Sequence, residues 1–247
     1  MNAELTCLVT LGLLLVAIFA GIRYSEDLLS ASTKDTIKLA TNLVATMSAL
    51  VLGLMVNSAK DSYDAVRSEV IEMSAKIVFL DRVLVGYGPE SSDARARLRD
   101  SIEQMLDRMW PQHATRTVDL TPATQFGNAV YIAIQNLAPK DDLQRNLKTE
   151  ATALAIDLGK TRTMLLVRSI PTISKLVMVI LISWLVIIFF SFSMLAPTNK
   201  PAILALTISA LSVCGAIFLI LELDRPFGGL VGVPRVPIVQ ALSQLGK

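Results

Sequence analysis

Histidine occurs once in this chain of 247 residues, at His113, and cysteine twice, at Cys7 and Cys214. One histidine, placed in a loop after Trp110-Pro111, cannot build a metal cluster or a histidine-based dyad. The sequence therefore predicts no enzyme activity, no metal site and no cofactor. Both cysteines lie inside apolar runs, where they read as small packing residues and not as a disulfide or a ligand pair. Charge is scarce too: Asp, Glu, Lys and Arg make up 18% of the chain, and a net charge of +2 gives no footprint for nucleic acid. Gly159-Lys160-Thr161 ends like a phosphate loop, but Leu154 stands where the upstream glycine is needed and the context is mid-helix. No proline falls between Met1 and Pro89, so nothing there breaks a long helix.

What is present is apolar and blocked out in long runs. Hydrophobic residues are 53% of the chain, and mean hydropathy is +0.55. Leu5–Ile22, Leu39–Ala59, Leu176–Asn199 and Pro201–Leu221 carry no Asp, Glu, Lys or Arg. Each is long enough, or nearly so, to cross the roughly 30 Å hydrocarbon core of a bilayer. The first lacks a basic n-region and a small-x-small cleavage site, since Ala17 and Ala20 are wrongly spaced, and reads as a retained span. The second belongs to a helix running from Thr36 to Tyr87, whose charged half repeats apolar residues three and four apart. Tyr63, Val66, Val70, Met73, Ile77, Leu80, Leu84 and Tyr87 form this seam. The element starts in lipid and continues into water.

Between Ser91/Ser92, read as a cap, and Trp110-Pro111, a helix places Leu98, Ile102, Met105, Leu106 and Met109 on one face. Its Arg95, Arg97, Arg99 and Arg108, interleaved with acids, read as a solvated, salt-bridged face. Residues 120–139 are uncharged but hold Gln125, Asn128, Gln135 and Asn136, which are costly in hydrocarbon. With Thr121-Pro122 as a helix start and Phe126, Val130, Ile134 and Leu137 as an apolar stripe, they predict an amphipathic helix and not a fifth span. From Asp141 or Asp142 a second seam, Leu143, Leu147, Ala151, Leu154, Leu158 and Leu165, should lie antiparallel against Tyr63–Leu84. Pro171 marks a kink, Pro197 and Pro201 bracket a tight turn, and a short helix is expected from Ile238.

The predicted class is an all-α membrane protein with four transmembrane helices and a cytoplasmic helical domain, the second span continuing into a long cytoplasmic helix. A first hairpin covers residues 1–59, the helical domain 60–170, a second hairpin 171–225 and a tail 226–247. Arg23, Lys34, Lys38 and Lys200 flank the spans on one side. Lys60, Arg67, Arg162, Arg168, Lys175, Arg225 and Arg235 flank them on the other. The positive-inside bias places the middle domain and both termini in the cytoplasm.

Val51-Leu52-Gly53-Leu54, Ser58-Ala59-Lys60-Asp61-Ser62-Tyr63-Asp64, Leu80-Asp81-Arg82-Val83-Leu84, Tyr87-Gly88-Pro89-Glu90 and Glu222-Leu223-Asp224-Arg225-Pro226-Phe227-Gly228-Gly229 together resemble the bestrophin-like family of mainly bacterial membrane proteins. The resemblance covers nearly the whole chain. It implies a layout similar to bestrophins, pentameric anion channels with four spans, a helical cytosolic domain and a pore lined by the second span. It implies a bacterial inner membrane, a homo-oligomer as partner, and inorganic ions such as chloride as the permeant species.

Two groups of residues are candidates for function. Asn42, Thr46, Ala49, Gly53 and Asn57 fall three or four apart and give the second span one small, polar face, widened by Thr41, Ala45 and Ser48. Polar and small residues in lipid face protein or water, so the face is either a helix-packing surface or a pore wall. Rings of asparagine and threonine without acids would suit anions or be poorly selective. By contrast Trp184–Leu195, with Phe189, Phe190 and Phe192, is bulky and suits lipid or subunit contact. Glu222 and Asp224 stand at a helix C-terminus, where the macrodipole disfavours negative charge, and so require partners such as Arg225, Lys60, Arg67, Arg168 or Lys175. They read as a structural latch or a regulatory cation site. The functions carried forward are an anion-favouring homo-oligomeric channel, a non-conducting scaffold or sensor that binds a partner, and a cation-conducting pore.

Overall fold

The computed structural model describes residues 3–24, 31–110, 124–168, 173–197, 199–227 and 230–245. The described residues form helices and connections and contain no strand. The order is α1 (Ala3–Tyr24), α2 (Ala31–Tyr87), a short 3-10 turn (Pro89–Ser91), α3 (Ser92–Met109), α4 (Thr124–Gln135), α5 (Asp142–Arg168), α6 (Lys175–Leu195), α7 (Lys200–Leu223) and α8 (Val236–Gln244). With 57 residues, α2 is about 85 Å long. It passes unbroken through Ser58 and begins five residues earlier than the apolar pattern alone indicates. Gly88 ends it with φ 116°, a conformation that residues with a Cβ avoid.

The chain divides into two compact units, Met1–Ser62 with Thr172–Asp224, and Tyr63–Pro171 with Arg225–Lys247. The first holds α1, the N-terminal part of α2, α6 and α7. Four helices here are long and apolar enough to cross a membrane. They cohere through Leu14, Ile18, Met55, Leu181, Phe189 and Ile217, with α1 packed on both α6 and α7. Phe189 is thus core, where the sequence suggests lipid or subunit contact, whereas Phe192 is exposed. Leu5, Leu8, Val16, Phe19, Leu176 and Leu204 are all more than 60% exposed, a surface that suits acyl chains and would be ruinous in water. Hydroxyls within these helices mostly donate to the carbonyl four residues back, as Thr10 does to Thr6 at 2.7 Å and Thr207 to Ile203 at 2.9 Å. Most of these hydroxyls are thereby satisfied inside their own segment, as hydrocarbon demands. Cys7 is a free thiol that donates to the Cys214 carbonyl at 3.7 Å. At the α6–α7 turn, the Asn199 side chain caps α7 by accepting from the Ala202 N–H at 3.0 Å, with Pro201 in the first turn.

The second unit is built on the predicted seam. Val66, Val70, Met73, Ile77, Leu80, Leu84 and Tyr87 are buried, and Tyr63 is half-buried. Helix α5 runs antiparallel to this part of α2. Gln144 donates to the Tyr87 carbonyl at 3.0 Å, Lys76 reaches Asp157 at 2.6 Å, and Arg168 reaches Glu69 at 3.7 Å. Its first seam residue, Leu143, is 65% exposed and so lies outside the core, because the helix has only just begun there. Asp141 caps α5, its side chain accepting from the Gln144 N–H at 2.7 Å. In α4, Val130, Ile134 and, just beyond it, Leu137 are buried as the amphipathic pattern requires. Thr121, Pro122, Pro171 and His113, and the side chains of Gln125, Phe126 and Asn128, lie outside the described residues.

One local expectation holds in position only, and another fails. Ser91 stands at the N-cap of α3 without a capping side-chain bond; its hydroxyl instead contacts the Leu84 and Gly88 carbonyls at 2.5 and 2.7 Å. Arg95 is not part of a solvated face. It forks onto buried Asp81 of α2 at 2.7 and 3.2 Å, while Arg97 and Arg99 do pair outward with Asp93 and Glu103. The tail returns to α3: Trp110 donates to the Val233 carbonyl at 2.8 Å and meets Phe227 edge-on at 5.1 Å. The short helix begins at Val236, two residues before Ile238.

Candidate functional site

The polar stripe of the second span follows from helical geometry. In the N-terminal part of α2, the residues turned into the unit are Thr41, Ser48, Met55 and Ala59, spaced by seven, seven and four. Asn42, Thr46, Ala49, Gly53 and Asn57 are all exposed in the single chain. At about 100° per residue their mean direction lies roughly 130° around the helix from the packed side. Thr41 and Ser48, which the sequence adds to the stripe, belong instead to the packed face, and Ala45 is intermediate between the two. The Ser48 hydroxyl has no partner there. Next to the stripe, Leu39, Leu43, Leu50 and Leu54 are 63–73% exposed and form an apolar flank. One helix therefore shows a packed edge, a polar uncovered edge and an apolar uncovered edge.

The chemistry of the stripe is set by which donors remain free. Thr46 spends its hydroxyl proton on the Asn42 carbonyl at 2.8 Å and offers lone pairs outward. The Asn57 amide donates to Asp61 at 2.9 Å, one turn further on. A Cβ built on Gly53 would meet nothing within 4 Å in the chain, so this residue leaves the stripe narrow without serving any contact inside the subunit.

Glu222 and Asp224 end α7 and are 3% and 8% exposed, with Arg225 half-buried beside them. Both carboxylate residues engage neighbours, as burial at the negative end of a helix requires. The Asp224 N–H closes the helix on the Ile220 carbonyl at 3.1 Å. Among the described residues there is no group of three or more His, Cys, Asp or Glu placed to hold a metal. Of the proposed partners, Arg168 is engaged elsewhere, with Glu69.

The polar knots that sequence reasoning missed lie in the second unit. Lys76 sits between Glu72 and Asp157, 2.6 Å from each, and also donates to Thr161 at 2.6 Å. Burial alone would lower its pKa; the hydrogen bonds to Asp157 and Glu72 outweigh it and raise the value. Hydrogen bonding to Asp81 raises Arg95. The available signal was position: Lys76 and Asp81 stand beside the seam residues Ile77 and Leu80, too near the core to be solvated.

Four spans, a long helix shared with a second helical unit, and an uncovered polar stripe define an all-helical membrane protein with a candidate conduction surface. A Bestrophin-like domain model matches residues 8–238, and the chain belongs to the bestrophin-like family. Its fold is similar to a crystal structure of a point mutant of a bacterial bestrophin homologue from Klebsiella pneumoniae. That match has a TM-score of 0.68 and 13% identity over 99% of this chain and 98% of that one. No curated protein sequence matches the chain. At that identity the likeness carries the fold and leaves the stripe to be argued from its own residues.

Proposed function

We propose that the chain is a homo-oligomeric ion channel of a bacterial inner membrane, with the stripe Asn42, Thr46, Ala49, Gly53 and Asn57 as the pore wall. The observation that carries this is the polar edge itself. Inside the apolar length of α2 it is turned away from the subunit's own core, and hydrocarbon is the wrong solvent for it. A closed ring of identical subunits covers that edge and part of the leucine flank together. Five subunits is the number the bestrophin resemblance implies. On this reading residues 60–170 form the cytoplasmic domain and both termini are cytoplasmic.

Preference for anions is supported by the absence of any carboxylate within the stripe and by the amide of Asn42. The contact of Asn57 with Asp61 favours a second reading, a cation-conducting pore, because it brings a carboxylate to the end of the same face. Glu222 and Asp224 act as a latch that fixes the end of α7, supported by their burial and their engagement with neighbours.

Purified protein in planar bilayers tests the reading. Current is expected, reduced by Asn42→Leu or Thr46→Leu, with a reversal potential in a chloride gradient that follows chloride. A reversal potential that follows the cation selects the second reading. Absence of current from an intact assembly, or a monomer by mass, overturns both and leaves a non-conducting scaffold.

A further inference from the structure

The second unit holds a cavity of about 670 Å³, open on one side, between α2, α3, α4 and α5, within the range of small-molecule sites. Its walls are apolar for most of their extent, with Met73, Ile77, Ile102, Met105, Val130 and Leu158 among them. Two charged side chains line it: Lys160, which is exposed, and Arg162, which is out of keeping with the apolar wall. Arg162 is half-buried at the cavity and, among the described residues, makes no hydrogen bond or ion pair. Arg95, Arg97, Arg99, Arg145 and Arg168 all pair with carboxylates. Burial, and then the positive charge of Arg108, lower the pKa of Arg162, yet a guanidinium keeps its charge at neutral pH. A half-buried guanidinium without a counter-ion is costly unless an anion arrives.

Gly159 leaves one stretch of the cavity wall without a side chain. It stands mid-helix in α5, where glycine costs about 1 kcal/mol against alanine. A Cβ there would meet nothing within 4 Å, so no close contact inside the chain requires the glycine. It lines the same cavity, one turn before Arg162.

We propose that this cavity binds a single-chain amphipathic anion, its acyl chain along the apolar wall and its carboxylate or phosphate head on Arg162. The size suits one chain, the lining suits methylenes, and the planar fork of arginine suits either head group. The site is independent of conduction, and its test reads no current.

Full-length protein is reconstituted in nanodiscs of zwitterionic phospholipid and irradiated with a photoreactive palmitate. The labelled peptides are then mapped by mass spectrometry. Label is expected in residues 98–105 or 155–166, displaced by palmitate or by lysophosphatidate but not by hexadecanol or lysophosphatidylcholine. Whichever acid displaces better identifies the head group. Arg162→Gln should cut labelling about tenfold or more, with Arg162→Lys retaining a larger part. Gly159→Leu should block labelling with helix content and assembly mass unchanged, and Gly159→Ala should leave labelling in place. Equal labelling of Arg162→Gln, equal displacement by hexadecanol, or label confined to the membrane helices overturns the proposal. A Gly159→Leu variant that loses its assembly overturns it too, because the cavity is then the seat of a second copy.

Discussion

Gly21 of α1 stands against α6 with no room for a side chain, and replacing it with alanine probes how the spans are held. A Cβ at Gly21 of α1 would stand 2.5 Å from the Ser193 Cβ, 2.7 Å from the Phe190 carbonyl oxygen and 3.2 Å from the Met194 nitrogen. Carbon atoms rest at about 3.5–4.0 Å, so the deficit is roughly 1 Å. None of these atoms sits at the end of a flexible side chain, so α1 must move away from α6. That movement loosens Leu14 and Ile18, which are 0% and 1% exposed. Overpacking of this kind costs about 1–3 kcal/mol. Gly12 and Gly215 supply the reference, since an added Cβ meets nothing within 4 Å at either, and alanine there should gain helix propensity without a clash.

The gap between Gly21→Ala and Gly12→Ala should therefore be about 1–3 kcal/mol. At roughly 2–4 °C per kcal/mol that amounts to about 2–12 °C in Tm. The assay is thermal unfolding of detergent-solubilised protein at one fixed scan rate, because such unfolding is commonly irreversible. Ser193 refines the test. Its hydroxyl is buried without a partner, so Ser193→Ala should be neutral or stabilising. Ser193→Gly in the Gly21→Ala background should rescue only in part, since the Phe190 carbonyl still blocks the methyl. Equal midpoints for Gly21→Ala and Gly12→Ala would refute the close packing of α1 on α6.

Lys76→Met should destabilise the second unit at neutral pH. The raised pKa of Lys76 means its contribution is full below the unfolded value of 10.5 and is lost as pH rises through the folded value, so wild type and variant should converge at strongly alkaline pH in parallel melts. Arg95→Met strands the Asp81 carboxylate, whose side chain is 9% exposed, and should cost about 3–5 kcal/mol; Arg95→Met with Asp81→Leu should recover most of it in the same melts, and failure to recover would deny the pairing. Tyr87→Phe removes a buried hydroxyl with no partner while leaving the backbone carbonyl that Gln144 uses, so its midpoint should match or exceed wild type.

The seam on α2 was legible because seven of its eight residues needed burial along a single line, and a helix offers only one geometry for a three–four rhythm. The spans were legible for a similar reason, since a run without charge has few solvents open to it. Arg95 and Phe189 were misjudged because each depends on a neighbour distant in sequence. A guanidinium reads as solvated until Asp81 is seen facing it, and a phenylalanine reads as lipid-facing until α1 and α7 close over its helix. In the row of letters Gly159 reads as the end of a failed phosphate loop and Arg162 as one of the cations flanking a span. They gain meaning only where α2, α3 and α4 leave space beside them.

The stripe on α2 shows how far a single subunit's physics reaches. A helix in lipid that kept Asn42 and Asn57 on the edge facing away from its own subunit would carry a desolvation cost that the Asn57–Asp61 bond offsets only at one end. The rest is offset only if the edge meets water or another copy, and those two possibilities differ in what Gly53 is for. Against another copy, Gly53 permits close approach, so Gly53→Ala should weaken the assembly. Against water it sets the bore, and Gly53→Ala should leave the assembly mass intact and lower the current. The packed face of the same helix, with Met55 and Ala59 buried, is unchanged in either case. Whether Gly53→Ala changes the mass or the current therefore traces to the uncovered edge alone.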